Sequence, residues 1–553
     1  MRHRLLRLGL PLLLFVAGQP ARGGREPVLV WNTFLGDVRG PTDAIAVAVD
    51  RNGNAVVTGS WQATPTTMDA VVAKFDSAGQ LLWRTSLGGP LDDFGYSLAL
   101  GEGGTIYAVG SSSATWGSPV RPFAASDDVF VAKLGGDGTL LWTTFLGGLG
   151  SDQAFGIQVD RGGSVYLAGT SGETWGRPLK AFSTSTGRDV FVAKLDANGS
   201  LVWNTFLGGS SLDSWGAFNL DQAGNILVAG SGRVSWGSPV RPYTAGEDVF
   251  VAKLDANGLP LWSTFLGGAG EDIVGMTLTT DAAGAAYLTG MSGTTWGAPV
   301  RPFGGGWEAF VAKLDANGAL VWNTFVGGQD QDLGASIAVD QRGSIYVSGT
   351  SYATWGNPAR TFGGAEDAFV AKLDGVGDLV WNAFLGSAYL DSGYGLTTGG
   401  NGDVYITGSS QRTWGVPVKT FSGLRPNGFV AKLSEAPVCI GGPTVLCLNE
   451  GRFQATAQFD AGRGVSGLAH GVSLTPDTGY LWFFSDSNVE AVLKVLDGCP
   501  VDGAYWVFVG GLTNVEVELR VTDLSSGRVK VYSNPFGRSF APIQDVNAFS
   551  SCP

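Results

Sequence analysis

The chain has 553 residues, of which 44% are hydrophobic, 15% are charged and 86 are glycine. So much glycine beside 11% aromatic residues predicts an ordered all-β protein with many tight turns, and the length predicts more than one domain. The formal net charge of −13 repels phosphate backbones, so nucleic acid is not an expected partner. With only His3 and His470, the chain has little from which to build a catalytic triad or a histidine metal site, so we expect no metal and no cofactor.

The first residues predict an export signal. Residues 1–23 combine a basic start, an apolar run and small residues, which is typical of a secretory signal peptide cleaved between Gly18 and Gly24. No cysteine near that point could carry a lipid anchor, and no stretch is long enough to span a bilayer. We therefore expect a secreted or extracytoplasmic protein without a membrane span.

Two sequence patterns each recur seven times along the chain. The segment FVAK and its variants place lysines 59 to 61 residues apart, at Lys74, Lys133, Lys194, Lys253, Lys313, Lys372 and Lys432. The segment LVWNTFLGG and its relatives place tryptophans at Trp31, Trp83, Trp142, Trp203, Trp262, Trp322 and Trp381. A fixed period of this length indicates a repeat architecture.

Each unit contains four short β-branched or apolar runs. In one unit they are residues 335–340, 344–350, 368–373 and 379–385, joined by two tight hairpins and one long loop. Seven units of four antiparallel strands predict a seven-bladed β-propeller. Because the chain begins with a tryptophan strand and the last unit ends with a lysine strand, we expect the N-terminal strand to complete the last blade and close the ring.

Segments such as IAVDQRGSIYVSGTS and EAFVAKLDANGALVWNTFVGG resemble the seven-bladed β-propeller repeat (SBBP type) of secreted bacterial proteins. The resemblance covers residues 28–434 and implies the propeller fold and an extracytoplasmic location. The family carries no agreed activity.

Residues 437–553 follow a different pattern. Runs of alternating apolar residues predict strands at 452–460, 479–485, 490–497, 504–510, 515–523 and 528–533, which suggests a small Ig-like β-sandwich. Four cysteines in an exported segment predict two disulfides, and we favour Cys439–Cys447 and Cys499–Cys552 over the other two pairings. This segment resembles a C-terminal module of secreted bacterial proteins that has no established activity. We expect His470 to be a solvated loop residue.

The long loop of six units contains TWGxPVRPF or a close variant. It supplies the tryptophans Trp116, Trp175, Trp236, Trp296, Trp355 and Trp414, and the basic residues Arg121, Lys180, Arg241, Arg301, Arg360 and Lys419. Connections between units should bring carboxylates to the same face, namely Asp93, Asp152, Asp213, Asp272, Asp332 and Asp391. These residues either form a ring of aromatic binding platforms or brace neighbouring blades, with arginine paired to aspartate. We favour the brace, because binding sites usually use what differs between blades.

The first unit differs from the others. Its loop, GSWQATPTTMDAVVAK, keeps Trp61 but lacks the WGxPVR core, which predicts a notch in the rim. We predict that a ligand binds at this notch, with Trp61, Trp116 and Trp414 as aromatic contacts and Arg121 and Lys419 as polar contacts.

The composition and the repeats together favour a non-catalytic, exported scaffold that binds an extracellular protein or glycan. A carboxylate-based carbohydrate hydrolase or lyase is an alternative, which requires two carboxyl groups about 5–10 Å apart in a pocket. A structural component of a surface layer is a further alternative, which the sequence does not distinguish from a binding scaffold.

Overall fold

The computed structural model describes residues 26–36, 42–183, 187–209, 214–399, 402–422, 426–435, 439, 441–449, 451–524 and 526–550. The signal peptide predicted at residues 1–23 and the carboxylate Asp213 lie outside these ranges. Within them the chain is all-β and consists of repeated four-stranded antiparallel sheets followed by two larger sheets. A short 3₁₀ turn (Glu102–Gly104) and one helix, α1 (Cys499–Asp502), complete the regular structure of these ranges.

Seven sheets have four strands each, and we number them 1 to 7 along the chain. The chain begins with β1 (Pro27–Phe34), which belongs to the last of them. Sheet 1 comprises β2 (Thr42–Val49), β3 (Ala55–Gln62), β4 (Met68–Phe75) and β5 (Leu81–Leu87). Sheet 2 comprises β6 (Asp93–Leu100), β7 (Ile106–Ser112), β8 (Asp128–Leu134) and β9 (Leu140–Leu146). Sheet 3 comprises β10 (Asp152–Val159), β11 (Val165–Ser171), β12 (Asp189–Leu195) and β13 (Leu201–Leu207).

The remaining four-stranded sheets follow in the same order. Sheet 4 comprises β14 (Ser214–Leu220), β15 (Ile226–Gly232), β16 (Asp248–Leu254) and β17 (Pro260–Leu266). Sheet 5 comprises β18 (Asp272–Thr280), β19 (Ala286–Ser292), β20 (Glu308–Leu314) and β21 (Leu320–Val326). Sheet 6 comprises β22 (Asp332–Val339), β23 (Ile345–Ser351), β24 (Asp367–Leu373) and β25 (Leu379–Leu385). Sheet 7 comprises β26 (Asp391–Thr398), β27 (Val404–Ser410) and β28 (Asn427–Glu435), with β1 as the fourth strand.

The tight turns follow directly from their sequence. In the β22–β23 turn the Asp340 side chain accepts the backbone N–H groups of Arg342 and Ser344, each at 2.9 Å. Gly343 donates its N–H to the Asp340 carbonyl at 3.0 Å and has a φ of +81°, a conformation that glycine adopts at little cost. The Asp-x-x-Gly pattern therefore fixes a hairpin at this point of the repeat.

Each four-stranded sheet packs against the next one along the chain through a separate apolar core. A further core joins sheet 7 to sheet 1, where Trp31 and Tyr405 pack with Val57 and Phe75. The first strands contact one another in the same order, and β26 contacts β2. Strand β1 pairs antiparallel with β28, from Pro27 opposite Glu435 to Phe34 opposite Phe429.

Two five-stranded sheets form the C-terminal part and share one apolar core. One contains β29 (Leu446–Leu448), β30 (Phe453–Asp460), β31 (Ser466–Leu468), β36 (Glu516–Asp523) and β37 (Arg528–Asn534). The other contains β32 (His470–Thr475), β33 (Thr478–Trp482), β34 (Ala491–Asp497), β35 (Tyr505–Gly511) and β38 (Ile543–Phe549).

The structure corrects the expectation for His470 and confirms one disulfide. His470 begins β32, and its half-buried ring stacks on Trp482 at 3.9 Å between centroids, so it is not a solvated loop residue. Cys439 and Cys447 are bonded. Cys499 is also disulfide-bonded, but its predicted partner, Cys552, lies outside the described residues. The described part of the chain has no helix long and apolar enough to cross a membrane.

Candidate functional site

The loop tryptophans are core residues of the sheets. Trp116 is 8% exposed, and its ring meets Phe130 and Phe145 edge-on at 5.4 and 5.8 Å. The same two contacts recur at Trp175, Trp236, Trp296 and Trp355, while Trp414 packs on Phe34 and Phe429. A tryptophan held edge-on by two phenylalanines offers no open face for a sugar ring, so these contacts are those of a brace.

The loop backbone also pairs with the outer strand of its own sheet. Val120 donates its N–H to the Thr143 carbonyl at 2.8 Å, and Phe145 donates to the Arg121 carbonyl at 3.1 Å. Equivalent pairs join Leu179 to Asn204, Val240 to Ser263, Val300 to Asn323, Ala359 to Asn382 and Val418 to Asn32. The loop thus covers an otherwise open sheet edge in sheets 2 to 7, a common protection against unwanted strand pairing.

The basic residue of the loop binds backbone carbonyls, not aspartate as we predicted. The Arg121 guanidinium donates to the Phe145 carbonyl at 2.8 Å and to the Gly147 carbonyl at 3.0 Å, and it lies 5.9 Å from the Trp175 ring of the next sheet. Lys419 donates to the carbonyls of Leu35 and Gly36 at 3.0 and 2.7 Å. Arg241 and Arg301 repeat the bidentate contact, and Arg360 makes one bond to the Phe384 carbonyl.

The aspartate that begins the first strand in most units is a local anchor. Asp93 accepts the Gly89 N–H at 2.8 Å and the Trp116 indole N–H at 3.0 Å, together with the Ser112 hydroxyl. The same serine–aspartate bond joins Ser292 to Asp272, Ser351 to Asp332 and Ser410 to Asp391. Each carboxylate therefore ties the connection between two sheets to the strand beside it.

A second acidic side chain lies next to this aspartate in most units. A Cβ atom on Gly147 would come within 2.6 Å of Asp152 Oδ2 and closer still to Asp128 Oδ1, so only glycine fits between the two carboxylates. Burial raises the pKa of Asp128 to about 6 and that of Asp152 to about 7. Burial likewise raises the pKa to about 6 at Asp93, Asp248 and Asp332, and to about 7 at Glu308 and Asp367.

These acids have the raised pKa that an acid catalyst needs but not the setting. Asp128 and Asp152 are fully buried, and neither lines any of four cavities formed by the described residues. Nor do three His, Cys, Asp or Glu side chains of those residues come together as a metal site would require. The arrangement suits anchoring of the sheets better than reaction with a substrate.

Sheet 1 differs from sheets 2 to 7 in the way its sequence suggested. Trp61 is 8% exposed, and the Arg84 guanidinium lies over its ring at 4.0 Å. Ser86 stands where Phe145 stands in sheet 2, and it is exposed. Among the residues that the structure describes, only β4 pairs with β5, so the outer edge of β5 lacks the covering segment found in the other six sheets.

The structure does not bring the five predicted ligand contacts into one pocket. Lys419 lines a cavity of about 250 Å³ with Arg84 and Phe75, but Trp61, Trp116, Trp414 and Arg121 do not. Trp116 and Trp414 are 8% and 5% exposed. The role of the five residues in ligand binding stays a prediction.

Two repeated contacts were not predicted from the sequence. Asn323, which follows a repeat tryptophan, donates its amide to the Trp296 carbonyl at 2.9 Å and so fixes the long loop. The repeat lysine pairs with the hairpin aspartate, as in Lys253 and Asp221 at 2.8 Å. The signal for both was present in the sequence, because each residue recurs at a constant place in the repeat.

The comparisons with known proteins show partial similarities and no family for this chain. No family model matches the chain. It is similar to the regulatory protein FlaEY of Caulobacter vibrioides, with 26% identity over 357 residues that cover 57% of this chain and 36% of that protein. It is also similar to the uncharacterized WD repeat-containing protein L264 of Acanthamoeba polyphaga mimivirus, with 20% identity over 520 residues that cover 72% of this chain and 37% of that protein.

Among solved structures, the chain is similar to the WD40 domain of Pan2 from Neurospora crassa. The identity is 11%, the match covers 58% of this chain and 92% of that domain, and the TM-score is 0.31. This chain spans little more than a third of the length of the two curated relatives.

Proposed function

We propose that the seven four-stranded sheets are the blades of one closed propeller and that the two C-terminal sheets form a β-sandwich. The pairing of β1 with β28 and the apolar core between sheets 7 and 1 support closure. The core common to both five-stranded sheets supports the sandwich. The resemblance to the SBBP repeat and the signal sequence at residues 1–23 support export of this two-domain protein.

The exported protein acts as a non-catalytic scaffold that binds a protein or glycan outside the cell or at its envelope. The observation that carries this proposal is the outer edge of β5, which no described segment covers in the way that the loop covers the corresponding edge in six other sheets. A strand edge offers a row of backbone donors and acceptors to an extended segment of a partner protein. A protein partner is therefore favoured over a glycan at this edge.

The chain itself supplies a probe for this edge. A labelled peptide with the sequence of residues 118–124, SPVRPFA, copies a segment that covers β9 in sheet 2. By analogy with Phe145, the Ser86 N–H points away from β4, so Ser86→Pro removes one outward donor and leaves the β4–β5 ladder intact. Ser86→Ala keeps that donor and is the matched control.

We expect the peptide to bind the full chain and its Ser86→Ala variant alike in fluorescence anisotropy. Ser86→Pro should weaken binding at least tenfold, because one backbone hydrogen bond is lost and the proline ring blocks close approach. Equal binding to the proline and alanine variants would show that β5 is not the docking edge. A glycan array probed with the same purified protein tests the glycan alternative.

Export has its own test. An alkaline phosphatase fused after residue 36 should be active in bacteria only if residues 1–23 direct export, because this enzyme needs disulfides that form outside the cytoplasm. Deletion of residues 1–23 should abolish that activity. Activity that survives the deletion would contradict an export signal.

A further inference from the structure

Sheet 5 breaks the repeat on its first strand. Val274 pairs with Gly290, whereas the corresponding position of five other sheets holds glycine or alanine, at Ala44, Gly95, Ala154, Gly334 and Gly393. Three residues, Gly275 to Thr277, then oppose Thr289 alone before pairing resumes at Leu278. This bulge has one residue more than the bulges of the other first strands.

A second departure lies on the neighbouring strand. Met291 pairs with Ile273, at a position where the other sheets have serine or threonine: Ser60, Ser111, Thr170, Ser231, Thr350 and Ser409. Met276 and Met291 are two of only four methionines in the chain. The two departures thus introduce larger apolar groups, Val274 and Met291, where most other sheets have small or polar ones.

Both departures line the same cavity. It has a volume of about 210 Å³, and its walls come from the first strands of sheets 2 to 6 together with β19. The apolar walls include Phe155, Ile273, Met276, Met291 and Leu333, and the last four keep part of their surface accessible. The cavity therefore lies where the first strands converge, on the inner side of sheet 5.

The lining chemistry restricts what could bind there. Among the described lining residues, Tyr96 has the one polar side chain, and its hydroxyl accepts a hydrogen bond from Ser111 at 3.2 Å. The nearby hydroxyls of Thr277 and Ser336 lie 2.8 Å apart and bond to each other. A sugar or a charged group would lose its hydrogen bonds to water in this cavity and gain few in return.

We propose that this cavity binds a small, uncharged apolar group of about one ring, aromatic or branched aliphatic. An apolar cavity of roughly 150 Å³ is enough to hold benzene. The apolar group could belong to a free small molecule or to a side chain of a peptide. The site lies away from β5 and does not depend on the macromolecular partner proposed above.

Methionine methyl groups report directly on this site. With [13C-methyl]-methionine labelling of the full chain, we expect the signals of Met276 and Met291 to shift on titration with toluene, while that of Met68 in sheet 1 stays unchanged. Met276→Leu and Met291→Leu variants assign the signals. Binding should be saturable, with a dissociation constant on the order of 0.1–1 mM for a ligand of this size.

A second titration uses N-acetyl-phenylalaninamide in place of toluene. Tighter binding of the amide would identify a peptide side chain as the group bound, and tighter binding of toluene would identify a free small molecule. Myo-inositol, a ring of similar size with six hydroxyls, should cause no shift. Absence of a shift with both apolar probes, or a saturable shift with inositol, would overturn the proposal.

The variant Met291→Thr restores the residue type of the other sheets and should weaken toluene binding about tenfold. The matched control is Met68→Thr, which changes the same residue type outside the cavity and should leave toluene affinity unchanged. Far-UV circular dichroism confirms that each variant folds. Unchanged toluene affinity in a folded Met291→Thr variant would also overturn the proposal.

Discussion

Gly318 closes a hairpin of sheet 5 directly over a tryptophan of sheet 4. A Cβ atom there would lie 2.7 Å from Trp262 Cε3 and 2.9 Å from Cδ2. The same indole donates its N–H to the Ala316 carbonyl of that hairpin at 3.0 Å. The substitution Gly318→Ala therefore tests whether this contact between neighbouring sheets holds the fold together.

Gly343 provides the matched control, because it ends a hairpin of the same type and has open space where a side chain would begin. Its φ is +81°, against +86° at Gly318, and a Cβ atom at Gly343 would have no heavy atom within 4 Å. Alanine in the left-handed region costs roughly 1–2 kcal/mol, and the lower entropy of the unfolded chain offsets about 0.4–1 kcal/mol of that cost. Gly343→Ala should therefore lower the free energy of unfolding by about 1 kcal/mol.

Gly318→Ala has the same backbone cost and adds an overlap with the rigid indole. Overpacking of a filled site typically costs about 1–3 kcal/mol, so the total loss should be about 2–4 kcal/mol. Urea unfolding of both variants, followed by tryptophan fluorescence, compares the midpoints of the same transition. Equal midpoints for the two variants would refute the claim that the Gly318–Trp262 contact is tight.

Three further predictions concern buried polar groups. Asp221→Asn should destabilise the fold by about 3–5 kcal/mol, because it leaves the buried Lys253 without its partner. The ion pair between Asp281 and Lys313 is longer, at 4.0 Å, and more exposed. Asp281→Asn should therefore cost less than about 1 kcal/mol in the same urea assay. Asn323→Ala should cost about 1–3 kcal/mol, since it leaves the buried Trp296 carbonyl without the amide, and a loss below 0.5 kcal/mol would contradict this role. The thermal midpoint should be higher at pH 5 than at pH 8, because burial raises the folded-state pKa of several carboxyls to about 6–7 from an ordinary value of 3.8 or 4.5. The contribution of these carboxyls to stability is therefore complete below about pH 4 and is lost as the pH rises through 6–7. A higher midpoint at pH 8 would contradict this assignment.

The strands of the repeat were predictable because local sequence alone determines them. The predicted run 379–385 coincides with β25 (Leu379–Leu385), and the predicted run 368–373 differs from β24 (Asp367–Leu373) by one residue. Alternating burial and an Asp-x-x-Gly turn act within a few residues, so one unit of sequence contains the whole signal. The same reasoning located the loop that differs in the first unit.

The partners of the polar side chains were not predictable, because they lie in other strands. Arg121 was expected to bind an aspartate but reaches two carbonyls 24 and 26 residues further along the chain. At a loop position a carbonyl and a carboxylate attract a guanidinium in the same way, and only the strand register decides between them. The short strand β32 was missed for a related reason, since its polar sequence pairs only in the context of Trp482 and its neighbours.

The two departures from the repeat have different consequences for the sheets around them. At sheet 5, the extra residue of β18 is absorbed on the inner side, because Thr277 still bonds the hydroxyl of Ser336 and the Ile337 N–H, both at 2.8 Å. The contact with sheet 6 is thus kept while apolar side chains line the cavity on the inner side. At sheet 1, Arg84 covers Trp61 and a serine replaces the phenylalanine that a covering loop would need. Each departure preserves the packing between sheets, so substitutions there should alter binding more than stability, whereas substitutions at the repeated positions should do the reverse.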